Sequence, residues 1–201
     1  MRGYAEMLLD RSKPLEPALE REMLERVLAE TLRIHRIVKQ LLAYSREPRE
    51  KEPTSPTDVK AVASAAAALV QAQGRYRDVK IDVDVPAEIP PVLATEGALV
   101  QVLLNLALNA AEATGSDGRL SITARRAGER VVISVTDDGP GVPAELRAQI
   151  FDPFYTTKEP GEGTGLGLSV SQSIVEGLGG TLRLAESARG ARFEIELAAV
   201  A

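Results

Sequence analysis

The sequence predicts an α+β fold: a two-layer α/β sandwich with a helical hairpin ahead of it. Three observations lead there. Residues 1–47 carry apolar side chains at helical spacing. Residues 48–57, Pro-Arg-Glu-Lys-Glu-Pro-Thr-Ser-Pro-Thr, form a charged, Pro-punctuated linker. Over 58–201 short period-two alternations are interspersed with long apolar helical patterns, the inventory of one mixed sheet with helices on one face.

The elements follow in order. A short helix runs from Gly3 to about Arg11, with Met7, Leu8 and Leu9 as its apolar members, and Ser12, Lys13 and Pro14 interrupt it. A long helix spans about Pro17 to Ser45, with Leu24, Val27, Leu28, Ile34, Val38, Leu41 and Leu42 at helical spacing. A stripe this long needs a partner: the first helix folded back, or the same hairpin of a second chain. Thr57 or Asp58 caps a helix to about Gln73. Val79, Ile81, Val83 and Val85 alternate as a strand closed by Pro86, and Val92-Leu93-Ala94 reads as a second, short one. Thr95 caps a strongly apolar helix to about Thr114, with Glu96 in its first turn. Strands follow at about 119–126 and 131–135, and Pro143 opens a short helix to about Ile150. Residues 155–163 lack periodicity and read as a mobile loop. A helix from about Leu166 to Leu178 ends at Gly179-Gly180, and strands at about 181–187 and 191–198 finish the chain.

Composition narrows the function. Hydrophobic residues make up 44% and charged residues 26%, as in an ordinary globular protein, and the net charge of −5 argues against a nucleic-acid surface. With no Cys and one His, His35, neither a thiolate nor a His-cluster metal site is available. No run reaches the roughly 20 apolar residues of a membrane span and no signal-peptide stretch opens the chain, so a cytoplasmic location is expected, with an upstream membrane tether left open.

Three segments carry chemistry that can converge on one ligand. Asn105 and Asn109 put two carboxamides at i,i+4 on one face of an apolar helix. Their carbonyl oxygens suit a hard cation or a phosphate environment, and equally suit backbone groups of a core. Asp137-Asp138-Gly139-Pro140-Gly141 follows a strand. An Asp there can accept from an exocyclic amine such as that of adenine; taken alone, a plain turn explains it better. Gly163-Thr164-Gly165-Leu166-Gly167-Leu168 stands at the mouth of a helix, where backbone N–H groups make an anion site, or simply a hinge. It lacks the Lys-Ser/Thr of a P-loop and the preceding strand of a dinucleotide fingerprint.

Together, in this order and with Phe151-Asp152-Pro153-Phe154 between the last two, the segments resemble the N, G1, F and G2 boxes of the histidine-kinase and related ATPase superfamily (GHKL). Gly179-Gly180-Thr181-Leu182 fits the segment that follows in these kinases. The resemblance covers 57–198, and 3–47 looks like the part of the dimerisation and histidine-phosphotransfer hairpin that lies after the phosphoacceptor box. The short Thr156-Thr157-Lys158 lid is similar to that of nitrogen-regulatory kinases.

The resemblance implies a Bergerat-type ATP-binding fold, with ATP and Mg²⁺ as ligands. By it, Asn109 would hold Mg²⁺ and Asn105 would lie beside the phosphates. Asp137 would take the adenine amine over a floor shaped by Gly139 and Gly141. Phe151 and Phe154 would pack at the base of the lid, and Lys158 would reach the γ-phosphate. Gly163, Thr164, Gly165, Leu166, Gly167 and Leu168 would close on the phosphates. Glu112 stands where a basic residue is frequent; it is expected not to ligate and to lie near the metal through water. The family transfers the γ-phosphoryl group of ATP to a His and then to an Asp of a response regulator, the implied partner, and works as a homodimer. His35 sits midway along the long helix as a packing residue, so this chain is expected to bind ATP without phosphorylating itself. Two other readings share the nucleotide boxes: a serine kinase or ATPase of the same superfamily, and a non-catalytic ATP-binding docking module.

Overall fold

The computed structural model describes residues 7–8, 16–28, 31, 54–115, 117–158 and 163–200. The chain divides into two compact units, Met1–Arg46 and Glu47–Ala201. In the first, residues 17–28 are helical, Met23 is buried, and Leu19, Leu24 and Leu28 are exposed. The helix expected over 3–11, the remainder of the one expected over 17–45, and His35 lie outside the described residues, apart from Met7, Leu8 and Thr31, which are helical.

The second unit holds seven strands and three α-helices among its described residues: β1 Ser55–Thr57, α1 Val59–Gln71, β2 Lys80–Asp84, β3 Val92–Ala94, α2 Glu96–Thr114, β4 Arg119–Ala127, β5 Arg130–Asp137, α3 Gly167–Gly177, β6 Thr181–Ala185 and β7 Arg192–Ala198. The main sheet has the order β2-β4-β5-β7-β6. β2 and β4 run parallel and the other neighbours antiparallel.

Periodicity explains the layers. On α1 the buried residues are Val59, Val62, Ala63, Ala66, Ala67 and Val70; on α2 they are Leu99, Val102, Leu103, Leu106, Ala107, Ala110 and Ala111. Steps of three and four make each set one stripe. The stripes meet the inward residues of the sheet, Leu120 and Ile122 of β4, Val131, Ile133 and Val135 of β5, and Phe193, Ile195 and Leu197 of β7, in one core. Burial of a Val or Leu side chain contributes about 1.5–3 kcal/mol, so this cluster dominates the stability.

Four local expectations are corrected. Residues 55–57, read as linker, form β1, which pairs antiparallel with β3. Thr57 ends that strand rather than capping a helix: its buried hydroxyl donates to the Ala94 carbonyl at 3.0 Å. Asp58 is the cap of α1, accepting from the Lys60 and Ala61 N–H groups at 2.8 and 3.2 Å. Thr95 occupies the N-cap position of α2 but its side chain makes no capping hydrogen bond. The helix expected from Pro143 to Ile150 is only a 3-10 turn, Ala144–Leu146, because none of its residues is buried and a short helix without an apolar face is not held. At the other end of α3, the Gly179 and Gly180 N–H groups bond the Glu176 and Val175 carbonyls with Gly179 at φ +75°, a Schellman ending.

Candidate functional site

Asn105, Asn109 and Glu112 follow one another at helical steps along α2, beside its apolar stripe, and make a row of three polar, half-buried side chains. The Asn105 amide donates to the buried Ser171 hydroxyl of α3 at 3.0 Å. Its carbonyl oxygen lies where a Cβ on Gly167 would come within 2.6 Å. The side chain thus ties α2 to the N-terminus of α3, and Gly167 is required for that approach. The Asn109 side chain makes no hydrogen bond among the described residues, whereas Asn105 and Glu112, one helical turn on either side of it, are engaged.

Asp137 continues the inward alternation of Val131, Ile133 and Val135 to the end of β5, which explains why a carboxylate is buried there. One of its oxygens, Oδ1, accepts from the Gly139 N–H at 3.0 Å and the Ala191 N–H at 3.1 Å. Among the described residues no hydrogen bond uses Oδ2. Burial pushes the carboxyl above its ordinary range; the two backbone N–H groups offset part of the rise and Asp138 adds to it. Around it the backbone is closely packed. A Cβ on Gly139 would meet the Ala113 carbonyl oxygen at 2.9 Å, and one on Gly141 (φ +76°) the Gly190 carbonyl oxygen at 2.8 Å. The end of β5 therefore abuts the last turn of α2 beside Glu112.

The Gly-rich segment is braced by the stretch that precedes it. The Phe154 N–H donates to the Gly165 carbonyl at 2.9 Å, with both residues at positive φ, 68° and 65°. Gly163 lies against Thr156, and the Thr164 hydroxyl accepts from the Leu166 N–H at 3.3 Å. Leu166 is buried and Leu168 packs on the core. Leu166 occupies the N-cap of α3 and supplies no side-chain oxygen, so the first-turn N–H groups keep their capacity for an anion. Phe151 packs on the core and meets Phe193 edge to face, centroids 6.3 Å apart. Phe154 departs from the expectation: its side chain is 64% exposed. The left-handed backbone that lets its N–H reach Gly165 turns the ring outward.

Glu112 closes the row among cations. Its Oε1 accepts from Arg75 at 2.8 Å and from the Tyr76 hydroxyl at 2.7 Å, and its Oε2 is paired with Lys158. Burial alone would raise its pKa. The hydrogen bonds from Lys158 and Tyr76 and the charges of Lys158 and Arg75 outweigh it and hold the carboxylate below the usual Glu range. Lys158 is therefore engaged with Glu112.

The three motifs thus assemble along one helix. α3 meets the row at Asn105, the exit of β5 meets it beside Glu112, and Asn109 lies between with its carboxamide oxygen available. Sequence reasoning missed five contributors. Ser171 holds Asn105, Gly190 and Ala191 of the β6–β7 turn brace Asp137, and the Arg75-Tyr76 pair holds Glu112. Only Ser171, one turn beyond Gly167 on the same helix, carried a readable signal. Glu159 to Glu162 lie outside the described residues.

Comparison with known proteins shows the family. The pattern of the histidine kinase-, DNA gyrase B-, and HSP90-like ATPases matches residues 94–200. The sensor histidine kinase ZraS of Escherichia coli O157:H7 is 38% identical over 184 residues, covering 89% of this chain. The chain spans only 38% of that relative's length. The catalytic domain of histidine kinase ThkA superposes with a TM-score of 0.66 at 32% identity, over 73% of this chain and 95% of that one. ThkA in complex with the response regulator protein TrrA superposes with a TM-score of 0.78 at 28% identity, over 98% of this chain and 56% of that one.

Proposed function

Since the chain belongs to the histidine kinase-, DNA gyrase B-, and HSP90-like ATPases, with sensor histidine kinases as its relatives, we propose that its row of Asn105, Asn109 and Glu112 is the phosphate-side wall of an ATP site whose adenine end is Asp137. The observation that carries this is the half-used carboxylate. Backbone N–H groups of Gly139 and Ala191 lock Oδ1, which leaves Oδ2 as a fixed acceptor for the adenine amine. The residues fit the remaining ligand groups as well. The free carboxamide oxygen of Asn109 is a hard donor for Mg²⁺, and the N–H groups at the start of α3 suit phosphate oxygens. Mg²⁺ would neutralise phosphate charge; Asn105 and Ser171 would keep α3 aligned on the phosphates.

In the whole protein this site would orient the γ-phosphoryl group of ATP toward a His acceptor, and the phosphoryl group would pass to an Asp of a response regulator. ThkA, which superposes on this chain, is known in complex with such a regulator. The 201-residue chain itself, with His35 as its one histidine, would bind ATP without phosphorylating itself. Exposed Leu24 and Leu28, four residues apart on the 17–28 helix, support pairing with a second chain.

Calorimetry of Mg²⁺·ATP binding tests the site. Micromolar-range affinity, about −7 kcal/mol, is expected for the parent. Asp137→Asn keeps Oδ1 as acceptor for both N–H groups but turns the free oxygen into a donor facing the adenine amine. A loss of about 2–3 kcal/mol should follow. Unchanged affinity in this variant would exclude Asp137 as the adenine acceptor.

A further inference from the structure

We propose that Glu112 makes the site discriminate between nucleotides by their terminal phosphates, because it holds the Lys158 ammonium until a phosphate group takes that cation over. This deepens the ATP-site reading and rests on it.

Four features support the exchange. Glu112 has two separately engaged oxygens, so Lys158 can leave Oε2 while Arg75 and Tyr76 keep Oε1. The carboxylate stays fixed and partly neutralised when the lysine departs. Arg75 is restrained from following, with its guanidinium 4.5 Å from the centroid of the Tyr76 ring. Glu112 also stands three residues after Asn109 on the same helical face, about 5–6 Å away between Cβ atoms. A lysine stem is a flexible carrier of a point charge, so its ammonium can cross that distance with little backbone movement. Finally, the side chains of Glu112 and Lys158 are only 27% and 36% exposed, so water does not dissolve the pair freely.

The consequence is selectivity. A nucleotide with β- and γ-phosphates offers Lys158 a more strongly charged partner than a carboxylate and draws it across. AMP ends short of that position and leaves the pair intact. Glu112 therefore weakens triphosphate binding by its competition for Lys158. As a positioning residue it acts through Lys158.

Calorimetric titration of ATP and AMP into the parent, Glu112→Gln, Lys158→Met and the double variant tests this. Gln keeps the shape and can still accept from Tyr76. Glu112→Gln should tighten ATP about fivefold or more and leave AMP unchanged; Lys158→Met should weaken ATP; in the Lys158→Met background the Glu112 substitution should do nothing. Tightening that persists without Lys158 would mean that Glu112 acts only as a repulsive charge, and would overturn the exchange. Weaker ATP binding in Glu112→Gln would overturn it in favour of a water-mediated metal role. If the parent binds neither nucleotide, the ATP-site reading fails first; if AMP binds normally and only the ATP effects are absent, the exchange alone fails.

Discussion

Gly190→Ala should do more damage than Gly179→Ala, a glycine substitution at a similar backbone angle. Gly190 sits in the β6–β7 turn at φ +65°, and a Cβ there would lie 1.9 Å from the Asp137 carbonyl oxygen and 2.7 Å from its Oδ1. Gly179 is the control: its φ is +75°, but a Cβ would meet nothing within 4 Å. Alanine at Gly179 bears only the left-handed backbone penalty, about 1–2 kcal/mol. Alanine at Gly190 bears the same penalty plus an overpacking cost of about 1–3 kcal/mol, since its neighbour is backbone and cannot rotate away. The difference should lower the melting temperature by about 2–4 °C per kcal/mol for a domain of this size. The displaced atoms belong to Asp137, so ATP affinity should fall with stability in Gly190→Ala and stay at the parental value in Gly179→Ala. Thermal melts and calorimetry on both variants decide it. Equal melting temperatures, or parental affinity in Gly190→Ala, would refute the idea that this turn braces the acidic end of the site.

The two perturbed carboxylates should act in opposite senses on stability against pH. Glu112 is held below its ordinary value of about 4.3, so its contribution is present above that pH and is lost as pH falls through its folded value. Urea midpoints from pH 6 to 3 should fall more steeply for the parent than for Glu112→Gln; parallel curves would remove its ion pairs from the stability. Asp137 is held above its ordinary value of about 3.9, so its contribution is complete below that pH and is lost as pH rises through its folded value. Asp137→Asn should therefore be no less stable than the parent at pH 7 while binding poorly, and a large loss there would contradict the cost of burying that charge. Ser171→Ala leaves the Asn105 amide without its 3.0 Å acceptor. About 1 kcal/mol of stability and a several-fold loss in ATP affinity should follow; an unchanged variant would show that α3 is aligned by packing alone.

What was legible in the sequence was whatever repeats along one element. The pair of Asn105 and Asn109 could be read because a helical step of four places side chains on one face. The inward position of Asp137 follows from the alternation through Val131, Ile133 and Val135. The braces of these groups could not be read, because they depend on strand register. Ala191 reaches Asp137 only because β7 lies beside β5, with Arg192 opposite Thr136. Arg75 and Tyr76 reach Glu112 through the packing of α1 on α2. β1 was missed for another reason: three residues containing Pro56, among charges, show no alternation, and a proline is tolerated on an edge strand. The short helix after Pro143 was overread from its opening signal, with no buried face to support it.

The hydrogen bond between Phe154 and Gly165 joins the two ends of the ten residues 155–164. Whatever lies between them is a closed loop, and the cost of closing a loop grows only with the logarithm of its length. Each doubling adds only about 0.6 kcal/mol. The clasp, not the enclosed sequence, therefore sets where the segment leaves and rejoins the domain. Insertions between Lys158 and Gly163 should therefore be tolerated by the fold while the clasp holds the ends of the segment in place.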